Sequence, residues 1–306
     1  MDQLELLNSI ELDNKHGIQS RLLNIANSYP GLKTKLEPSI QKVTNRDKIL
    51  HSVERSIDWK MEQIALIVVD FQRDFVCGTL RTDQCPAKQN ALDIVQAVNE
   101  LVSLPFHTII ASFDHHPKNH ISFHENRNLV KLSNKSQVKN LEEAKVYDIL
   151  TIVDTHGNER EQKLWPTHCV AGTPGSELFD GIKLPSSAIS IYKGKIPDVE
   201  SYSVFGDPFH LEDTGLMDIL QERGIRVTVL CGIAFDVCVA TSAIDAAKNG
   251  FMVVVVEDAC VGISHESIAA KRLEMLENGV WITKLAKIPK FLSGEIIPLQ
   301  HLLRLI

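Results

Sequence analysis

The chain has 306 residues, of which 44% are hydrophobic and 23% charged, and its formal net charge at pH 7 is −7. These values are ordinary for a globular protein and exclude a disordered or collagen-like chain. The negative charge argues against a general binder of nucleic acid or of anionic membranes, because both partners attract positive surfaces.

Membrane insertion and export are not expected either. The longest apolar runs, such as Ile64–Val69, are far shorter than the roughly 20 residues of a membrane-spanning helix. Residues Met1–Glu5 lack the basic and apolar regions of a signal peptide. Six cysteines in a chain of this length indicate reduced thiols rather than a disulfide framework. We therefore expect an intracellular protein, in the cytoplasm or also in the nucleus.

The first 60 residues differ in pattern from the rest. They are polar, and Leu4, Leu7 and Ile10 recur at helical spacing. From residue 61 onwards, short β-branched runs alternate with helical patterns. A chain of this length corresponds to roughly two domains, or to one large domain with an appendage. We predict a helical appendage over residues 1–60 and a main domain over residues 61–306.

The main domain is predicted to belong to the α/β class. Strands are predicted at Ile64–Val69, Thr108–Ser112, Ile149–Val153, Ala188–Tyr192, Arg226–Cys231, Met252–Glu257 and Val280–Thr283. Helices are predicted at Ala87–Ser103, Leu216–Arg223, Val237–Asn249 and Ser264–Asn278. Strands that are apolar on both faces and alternate with helices indicate a mostly parallel, doubly wound sheet flanked by helices. Ligands of such folds bind at the carboxyl ends of the strands.

Residues 125–163 do not fit this alternation. The stretch is polar and weakly patterned. Arg127, Lys131, Lys135 and Lys139 recur every four residues, which on a helix would form a basic stripe. We interpret the stretch as an inserted segment with a solvated face.

Asp70 directly follows the first predicted strand of the main domain. A carboxylate at the end of a buried strand is costly to desolvate unless it is paired or functional. Asp70 is therefore a candidate catalytic residue, with a structural role as the alternative. Asp74, in the same segment, is equally well explained as a helix cap or a surface residue.

Asp114 and His116 follow the second of these strands and are two residues apart. In an extended chain their side chains project to the same face, as two ligands of one metal would. His168 is a candidate third ligand from a separate loop. Two imidazoles and one carboxylate suit zinc, with iron or manganese as alternatives. A histidine-rich loop without a metal is the remaining alternative.

Cys238 is a candidate nucleophile. We predict that Asp236 caps the following helix, so that Cys238 lies in its first turn. The helix dipole would then lower the pKa of the thiol, and backbone N–H groups would be available to an oxyanion. A small buried residue is the alternative for Cys238. Lys193, at the end of another predicted strand, would stabilise a thiolate beside it, with a surface lysine as the alternative.

Together and in order, these segments resemble the nicotinamidases of the isochorismatase-like cysteine hydrolase superfamily. The matching motifs are Asp70-Phe71-Gln72-x-Asp74-Phe75, Asp114-x-His116-Pro117-x-x-His120, Trp165-Pro166-x-His168, Lys193-Gly194 with Ser201-Tyr202-Ser203, and Gly232-x-Ala234-x-Asp236-x-Cys238. The resemblance covers about residues 61–285 and leaves residues 1–60 unaccounted for.

The resemblance implies hydrolysis of nicotinamide to nicotinate and ammonia through a thioester on the cysteine, in NAD salvage. It also implies a divalent metal that binds the pyridine nitrogen, and a cis peptide bond before the alanine of the last motif. The implied roles are Asp70 as proton acceptor, Lys193 as its electrostatic partner, Cys238 as nucleophile, the N–H groups of Ala234 and Cys238 as oxyanion donors, Phe75 and Tyr202 as substrate-binding residues, and Asp114, His116 and His168 as ligands of zinc or, alternatively, of iron or manganese.

The chain departs from the family pattern at three places. Glu200 stands where the family usually has Asp, and Val76-Cys77-Gly78-Thr79 stands where members often have Pro-Gly-Gly. Residues 125–163 are additional, and we expect the last two departures to reshape the rim of the pocket.

Other functions stay open at this stage. They are a related metal-independent amide hydrolase with a ureido or carbamoyl substrate, a vinyl-ether hydrolase of the isochorismatase kind, and a non-catalytic relative that binds nicotinamide. The expected partner is a small-molecule substrate, and a homo-oligomer is possible from the sequence.

Overall fold

The computed structural model describes residues 3–13, 18–44, 63–153 and 157–301. The strands in these ranges are β1 Glu11–Asp13, β2 Ile64–Val69, β3 Thr108–Asp114, β4 Lys131–Leu132, β5 Ile149–Val153, β6 Glu159–Lys163, β7 Ile189–Lys193, β8 Val227–Ile233, β9 Met252–Val261, β10 Trp281–Thr283 and β11 Ile296–Pro298. The α-helices are α1 Gln3–Ser9, α2 Ile18–Ser28, α3 Lys33–Thr44, α4 Arg73–Val76, α5 Val95–Ser103, α6 Leu216–Glu222, α7 Ala240–Lys248, α8 His265–Glu277 and α9 Ile288–Leu292.

The main sheet has six strands in the order β10-β9-β8-β2-β3-β7, and every neighbouring pair is parallel. Along the chain the sheet grows from β2 through β3 to β7, and then from β8 through β9 to β10 on the other side. The direction in which the chain adds strands to the sheet therefore reverses between β2 and β8. Every residue of these two central strands is buried, which explains their continuous apolar sequence. The prediction of a parallel, doubly wound sheet flanked by helices is confirmed.

Local signals set the ends of the flanking helices. The Ser264 hydroxyl accepts a hydrogen bond from the Ser267 N–H (3.1 Å) and so caps the start of α8. Gly279, with φ 74°, follows its end. The helix predicted at Ala87–Ser103 begins later, because Ala91–Ile94 is a 3₁₀ turn that leads into α5.

The described part of residues 125–163 adds no strand to the main sheet, so the expectation that Ile149–Val153 belongs to that sheet was wrong. Ile149–Val153 does form a strand, but it lies in a separate antiparallel sheet of order β4-β5-β6. This sheet packs on an apolar cluster of its own, formed by Val130, Ala144, Leu150, Ile152 and Leu164. No helical basic stripe forms among the described residues of the segment, because Arg127 lies in a 3₁₀ turn, Lys131 in β4, and Lys135 and Lys139 in the loop after β4. Lys131, Lys135 and Lys139 are nevertheless exposed, as expected of a solvated face.

The N-terminal helices pack against the carboxyl-terminal part of the chain. Strand β1 pairs antiparallel with β11, and the Asn8 side chain makes two hydrogen bonds of 2.9 Å with the backbone of Ile282. Leu22, Leu32 and Leu36 are fully buried. The expected boundary near residue 60 lies outside the described residues, so the division into 1–60 and 61–306 stays a prediction. No described helix is both long and apolar enough to cross a membrane.

Candidate active site

Four strands of the main sheet end together beside the point where the strand order reverses. Asp70 follows β2, Asp114 ends β3, Lys193 ends β7, and the turn after β8 carries Cys238. Asp114 and Lys193 are paired in register across β3 and β7. All four side chains are buried. Sheet topology thus assembles in one place residues that are far apart in the chain, at the edge where ligands of such sheets bind.

Lys193 lies at the centre of this cluster and is completely buried. Its ammonium group is 3.0 Å from a carboxylate oxygen of Asp70 and 3.5 Å from the Cys238 sulfur. It also forms an ion pair with Asp114 and donates to the Ser201 carbonyl (3.1 Å). A buried ammonium needs such partners, because leaving water is costly for an unpaired charge.

Asp70 is held on both its side chain and its backbone. The Ser112 hydroxyl donates to its carboxylate (2.6 Å), and the Asp70 N–H bonds to the carbonyl of the same serine (3.2 Å). Asp70 has φ 45°, in the left-handed region that residues other than glycine rarely adopt. Such a conformation persists only where the surroundings enforce it, so the carboxylate has a defined position beside Lys193.

Burial and charge pairing set the protonation preferences of the cluster. Burial opposes the charge of Lys193, but the carboxylates of Asp114 and Asp70 outweigh it and hold its pKa well above the ordinary value. Burial raises the pKa of Asp70, with Lys193 opposing. Burial also raises the pKa of the Cys238 thiol well above its usual range, again against Lys193. The predicted lowering of this thiol pKa is therefore wrong, and the sulfur needs a neighbouring base.

The turn that carries Cys238 requires a glycine and has an unusual backbone. Gly232 has φ 115°, and a Cβ atom there would lie 2.2 Å from the carbonyl oxygen of Val69, so only glycine fits between β8 and β2. The Ile233–Ala234 peptide bond is cis, as the family resemblance implied. Phe235–Val239 then forms one π-helical turn before α7. Cys238 thus lies at the amino end of a helical segment, as predicted.

The predicted capping role of Asp236 is wrong. Ala234 occupies the capping position, and no side chain caps the turn. The Asp236 carboxylate instead accepts hydrogen bonds from the N–H groups of Ile263 (2.8 Å) and Ser264 (3.2 Å) and from the Ser267 hydroxyl. Asp236 therefore ties the turn to the start of α8, because its position inside the π-helical turn directs it away from the turn's own N–H groups.

Asp114, His116 and His168 form a compact set of potential metal ligands. The Nε2 atoms of His116 and His168 lie 3.7 and 3.8 Å from the same oxygen of Asp114. The Nδ1 atoms are bonded to backbone carbonyls, that of His116 to Gly194 (2.9 Å) and that of His168 to Pro166 (2.7 Å). These outer bonds fix both rings with Nε2 turned inwards, the arrangement typical of metal-binding histidines.

The set fits a divalent metal. Two atoms that each lie about 2.1 Å from one metal are separated by roughly 3–4 Å, which matches the observed spacing. The buried Nε2 of His116 has no hydrogen-bond partner among the described residues. Such an orphaned atom is costly unless something else occupies it, and a metal ion would supply the missing partner.

A small cavity joins the potential metal ligands to the candidate nucleophile. Both Asp114 and His168 line it, as do Ala234 and Cys238. The two side chains expected to bind substrate, those of Phe75 and Tyr202, also line this cavity. The structure thus gathers every predicted site residue around the cavity or in direct contact with a residue that lines it.

Other members of the histidine-rich loop lie away from the ligand set. His115 packs against Tyr192, and His124 bonds to the Ala144 carbonyl in the insertion. His120 stacks on His116 with ring centres 4.1 Å apart, but both its nitrogens have hydrogen-bond partners. Burial lowers the pKa of His120 to about 4, which keeps the ring neutral.

Sequence reasoning missed three supporting residues. Gln72 makes hydrogen bonds to both the N–H (2.8 Å) and the carbonyl (2.7 Å) of Asp114. Asp74 is buried and accepts from the Cys169 N–H (2.7 Å), next to His168. Gln72 and Asp74 belong to the motif around Asp70, so their spacing within that motif was the available signal.

Glu200 is the third of these residues. It lines the small cavity, and its carboxylate lies within 4.8 Å of ring nitrogens of His116 and His120. Burial opposes its charge, but the attraction of neighbouring charge, that of His116 foremost, outweighs this and lowers its pKa. The sequence marked this position only as a departure from the family pattern.

Comparisons with known proteins agree with this geometry. The chain matches the isochorismatase domain over residues 64–287. The curated nicotinamidase of Acinetobacter baylyi is 39% identical over 217 residues, which cover 71% of this chain and 90% of that protein.

Two solved structures extend the comparison. The nicotinamidase/pyrazinamidase of Acinetobacter baumannii has a TM-score of 0.62 and 33% identity, covering 74% of this chain and 98% of that chain. The pyrazinamidase of Pyrococcus horikoshii, solved in complex with zinc, has a TM-score of 0.54 and 32% identity, covering 72% of this chain and 99% of that chain. The chain belongs to the isochorismatase family and, within it, to the nicotinamidases.

Proposed function

We propose that the protein hydrolyses nicotinamide to nicotinate and ammonia through a thioester on Cys238, and so serves NAD salvage. The observation that carries the proposal is the cavity shared by Cys238 and the ligand pair Asp114 and His168. A nucleophile next to an acid–base pair suits amide hydrolysis. A metal beside it suits a substrate whose ring offers a nitrogen lone pair, which nicotinamide has.

The first half of the reaction forms the thioester. Potential ligand atoms of Asp70, Asp114 and Cys238 all lie within 4.8 Å of one another, so Asp70 is within reach of the thiol proton. Asp70 accepts this proton as the sulfur attacks the carboxamide carbon, and Lys193 stabilises the negative charge on the sulfur. The N–H groups of Ala234 and Cys238 donate to the oxyanion.

The second half releases the products. Asp70 returns the proton to the departing nitrogen, the carbon–nitrogen bond breaks, and ammonia leaves a thioester behind. Asp70 then takes a proton from a water molecule as that water attacks the thioester. The carbon–sulfur bond breaks, nicotinate is released, and the thiol of Cys238 regains its proton. Phe75 and Tyr202 pack against the ring throughout.

Asp114, His116 and His168 hold the metal, for which we propose zinc, with iron or manganese as alternatives. Two imidazoles and one carboxylate suit all three ions, and the Pyrococcus horikoshii relative was solved with zinc. When bound, the metal supplies a Lewis-acidic position that orients the pyridine ring through its nitrogen. This set of ligands argues against the metal-independent ureido or carbamoyl hydrolase considered above.

Ammonia release from nicotinamide by the purified protein tests the proposal. Turnover should fall on chelation and return with zinc, iron or manganese, and Cys238→Ala should abolish it while the protein stays folded. Cys77→Ala is the matched control, because Cys77 is the exposed free thiol and lies outside the cavity. Ligand affinity without turnover under every metal condition would favour a non-catalytic binder instead.

Compartment and assembly stay predictions. The six cysteines are free thiols, five of them buried, as expected of a protein from the reducing cytoplasm. Size measurements in solution would show whether the protein forms a homo-oligomer, which the sequence leaves open.

A further inference from the structure

A second, much larger cavity lies next to the catalytic one. It has a volume of about 950 Å³ and is bordered by the insertion sheet, the loop around residues 200–210 and helix α7. Four residues line both cavities, namely Trp165, Glu200, Tyr202 and Val237. Their side chains therefore form a wall between the catalytic cavity and the larger cleft.

Two members of this wall are joined directly. The indole N–H of Trp165 donates to the Tyr202 hydroxyl (3.0 Å), and the Trp165 ring is buried. An indole and a phenol linked in this way form a continuous barrier. Its position depends on what else contacts the Trp165 ring.

The insertion supplies that support. The Tyr147 ring contacts the Trp165 ring edge to face, with centres 5.7 Å apart. The ammonium of Lys163, the last residue of β6, lies 4.7 Å from the centre of the Trp165 ring and 5.8 Å from that of Tyr147. The Tyr147 hydroxyl is 3.5 Å from the Cys85 sulfur, which anchors the support to the main domain.

The Lys163 ammonium contacts two aromatic rings. No carboxylate among the described residues forms an ion pair with it, although Glu159 and Glu161 lie on the same strand and Asp236 attracts it from further away. Partial burial lowers the pKa of its ammonium group. A partly desolvated cation over an indole face is a favourable contact, and its strength increases as water is excluded.

We propose that Lys163 and Tyr147 are positioning residues that hold the Trp165–Tyr202 wall and so restrict the enzyme to small aromatic amides. The proposal rests on the proposed function. With the wall in place, the ring of a bound amide has no room for substituents on this side. When the wall loosens, a substituent reaches into the large cleft.

The test is the ratio of kcat/KM for a ring-methylated nicotinamide to kcat/KM for nicotinamide. Lys163→Met keeps the length of the side chain but removes its charge, and should raise this ratio at least fivefold. Lys163→Arg keeps a cation over the rings and should restore the ratio of the natural protein. A purely structural role would lower both activities together and leave the ratio unchanged.

Variants of Tyr147 provide an independent test. Tyr147→Phe keeps the edge contact with Trp165 and should leave the ratio within twofold, whereas Tyr147→Ala removes the contact and should raise it. Lys139→Met is the control within the same insertion, because Lys139 is exposed and no ring contact joins it to the residues that the structure describes. Thermal unfolding checks that each variant is folded.

An unchanged ratio in folded Lys163→Met and Tyr147→Ala would overturn the inference. The ratio of the dissociation constants of the two amides, measured by calorimetry with the same variants in a Cys238→Ala background, reports the same selection at the level of binding, without turnover. If the natural protein does not hydrolyse nicotinamide, the proposed function fails, and this binding ratio still decides whether the wall selects by size.

Discussion

Replacing Gln72 with Leu tests whether this glutamine holds the site through the backbone of Asp114. The Gln72 side chain is fully buried. Its amide N–H₂ donates to the carbonyls of Asp114 (2.7 Å) and Ser176 (2.9 Å), and its oxygen accepts from the Asp114 N–H (2.8 Å). Leucine has a similar size but can make none of these bonds.

The three bonds set the size of the effect. A buried polar group that loses its partner costs about 1–3 kcal/mol. Two carbonyls and one N–H lose theirs in Gln72→Leu, and relaxation of the neighbouring chain recovers part of this cost. We expect the free energy of unfolding to fall by about 3–6 kcal/mol. Displacement of Asp114 should also weaken metal binding by about 10–100-fold.

Urea unfolding and metal titration measure both effects. Gln96→Leu is the matched control, because Gln96 is exposed on α5, and it should stay within about 0.5 kcal/mol of the natural protein. The reasoning would be refuted if the free energy of unfolding of Gln72→Leu lay within about 1 kcal/mol of that of this control. Normal stability with weakened metal binding would show that the bonds orient Asp114 without stabilising the fold.

Two further predictions concern stability. Gly232→Ala should lower the free energy of unfolding by about 3 kcal/mol or more, because the new Cβ meets the Val69 carbonyl at 2.2 Å and φ is 115°; an unchanged urea midpoint would mean that β8 and β2 lie further apart. His120 is held neutral by burial, with its pKa lowered from 6.5 to about 4. Above pH 6.5 His120 is neutral in both the folded and the unfolded protein. As the pH falls from 6.5 towards 4, only the unfolded chain takes up the proton, so the free energy of unfolding falls by up to about 1.4 kcal/mol per pH unit. His120→Gln should flatten this pH dependence, and an equal slope in both proteins would contradict the assignment.

Strand positions could be predicted because a strand that is buried on both faces has an apolar sequence along its whole length. Ile64–Val69 is apolar throughout since β2 is covered on both faces, and its bounds were predicted as observed. The chemistry-bearing residues were also visible, since Asp70, Asp114 and Lys193 each come at or directly after the end of a strand. The family motifs then supplied roles that no single run could indicate.

The insertion and the bonds around Asp236 were not predictable in this way. Ile149–Val153 reads as a strand whichever sheet it joins, and only its pairing with β4 and β6 shows that it builds a separate one. Asp236 has the spacing of a helix cap, yet its partners, Ile263, Ser264 and Ser267, belong to a later helix. Local spacing carries no information about which distant N–H group will lie opposite a carboxylate.

The sequence by itself determined the class of fold and the edge of the sheet at which the candidate site forms, and it singled out the groups that we propose to react. Only the tertiary structure decided their protonation. An amino-terminal helical position predicts a lowered pKa for Cys238, whereas burial raises it, and Lys193 opposes that rise only because four neighbouring strands bring its ammonium within 3.5 Å of the sulfur. Desolvation and pairing depend on everything that surrounds a group in space, and the chain brings those surroundings together only when it folds.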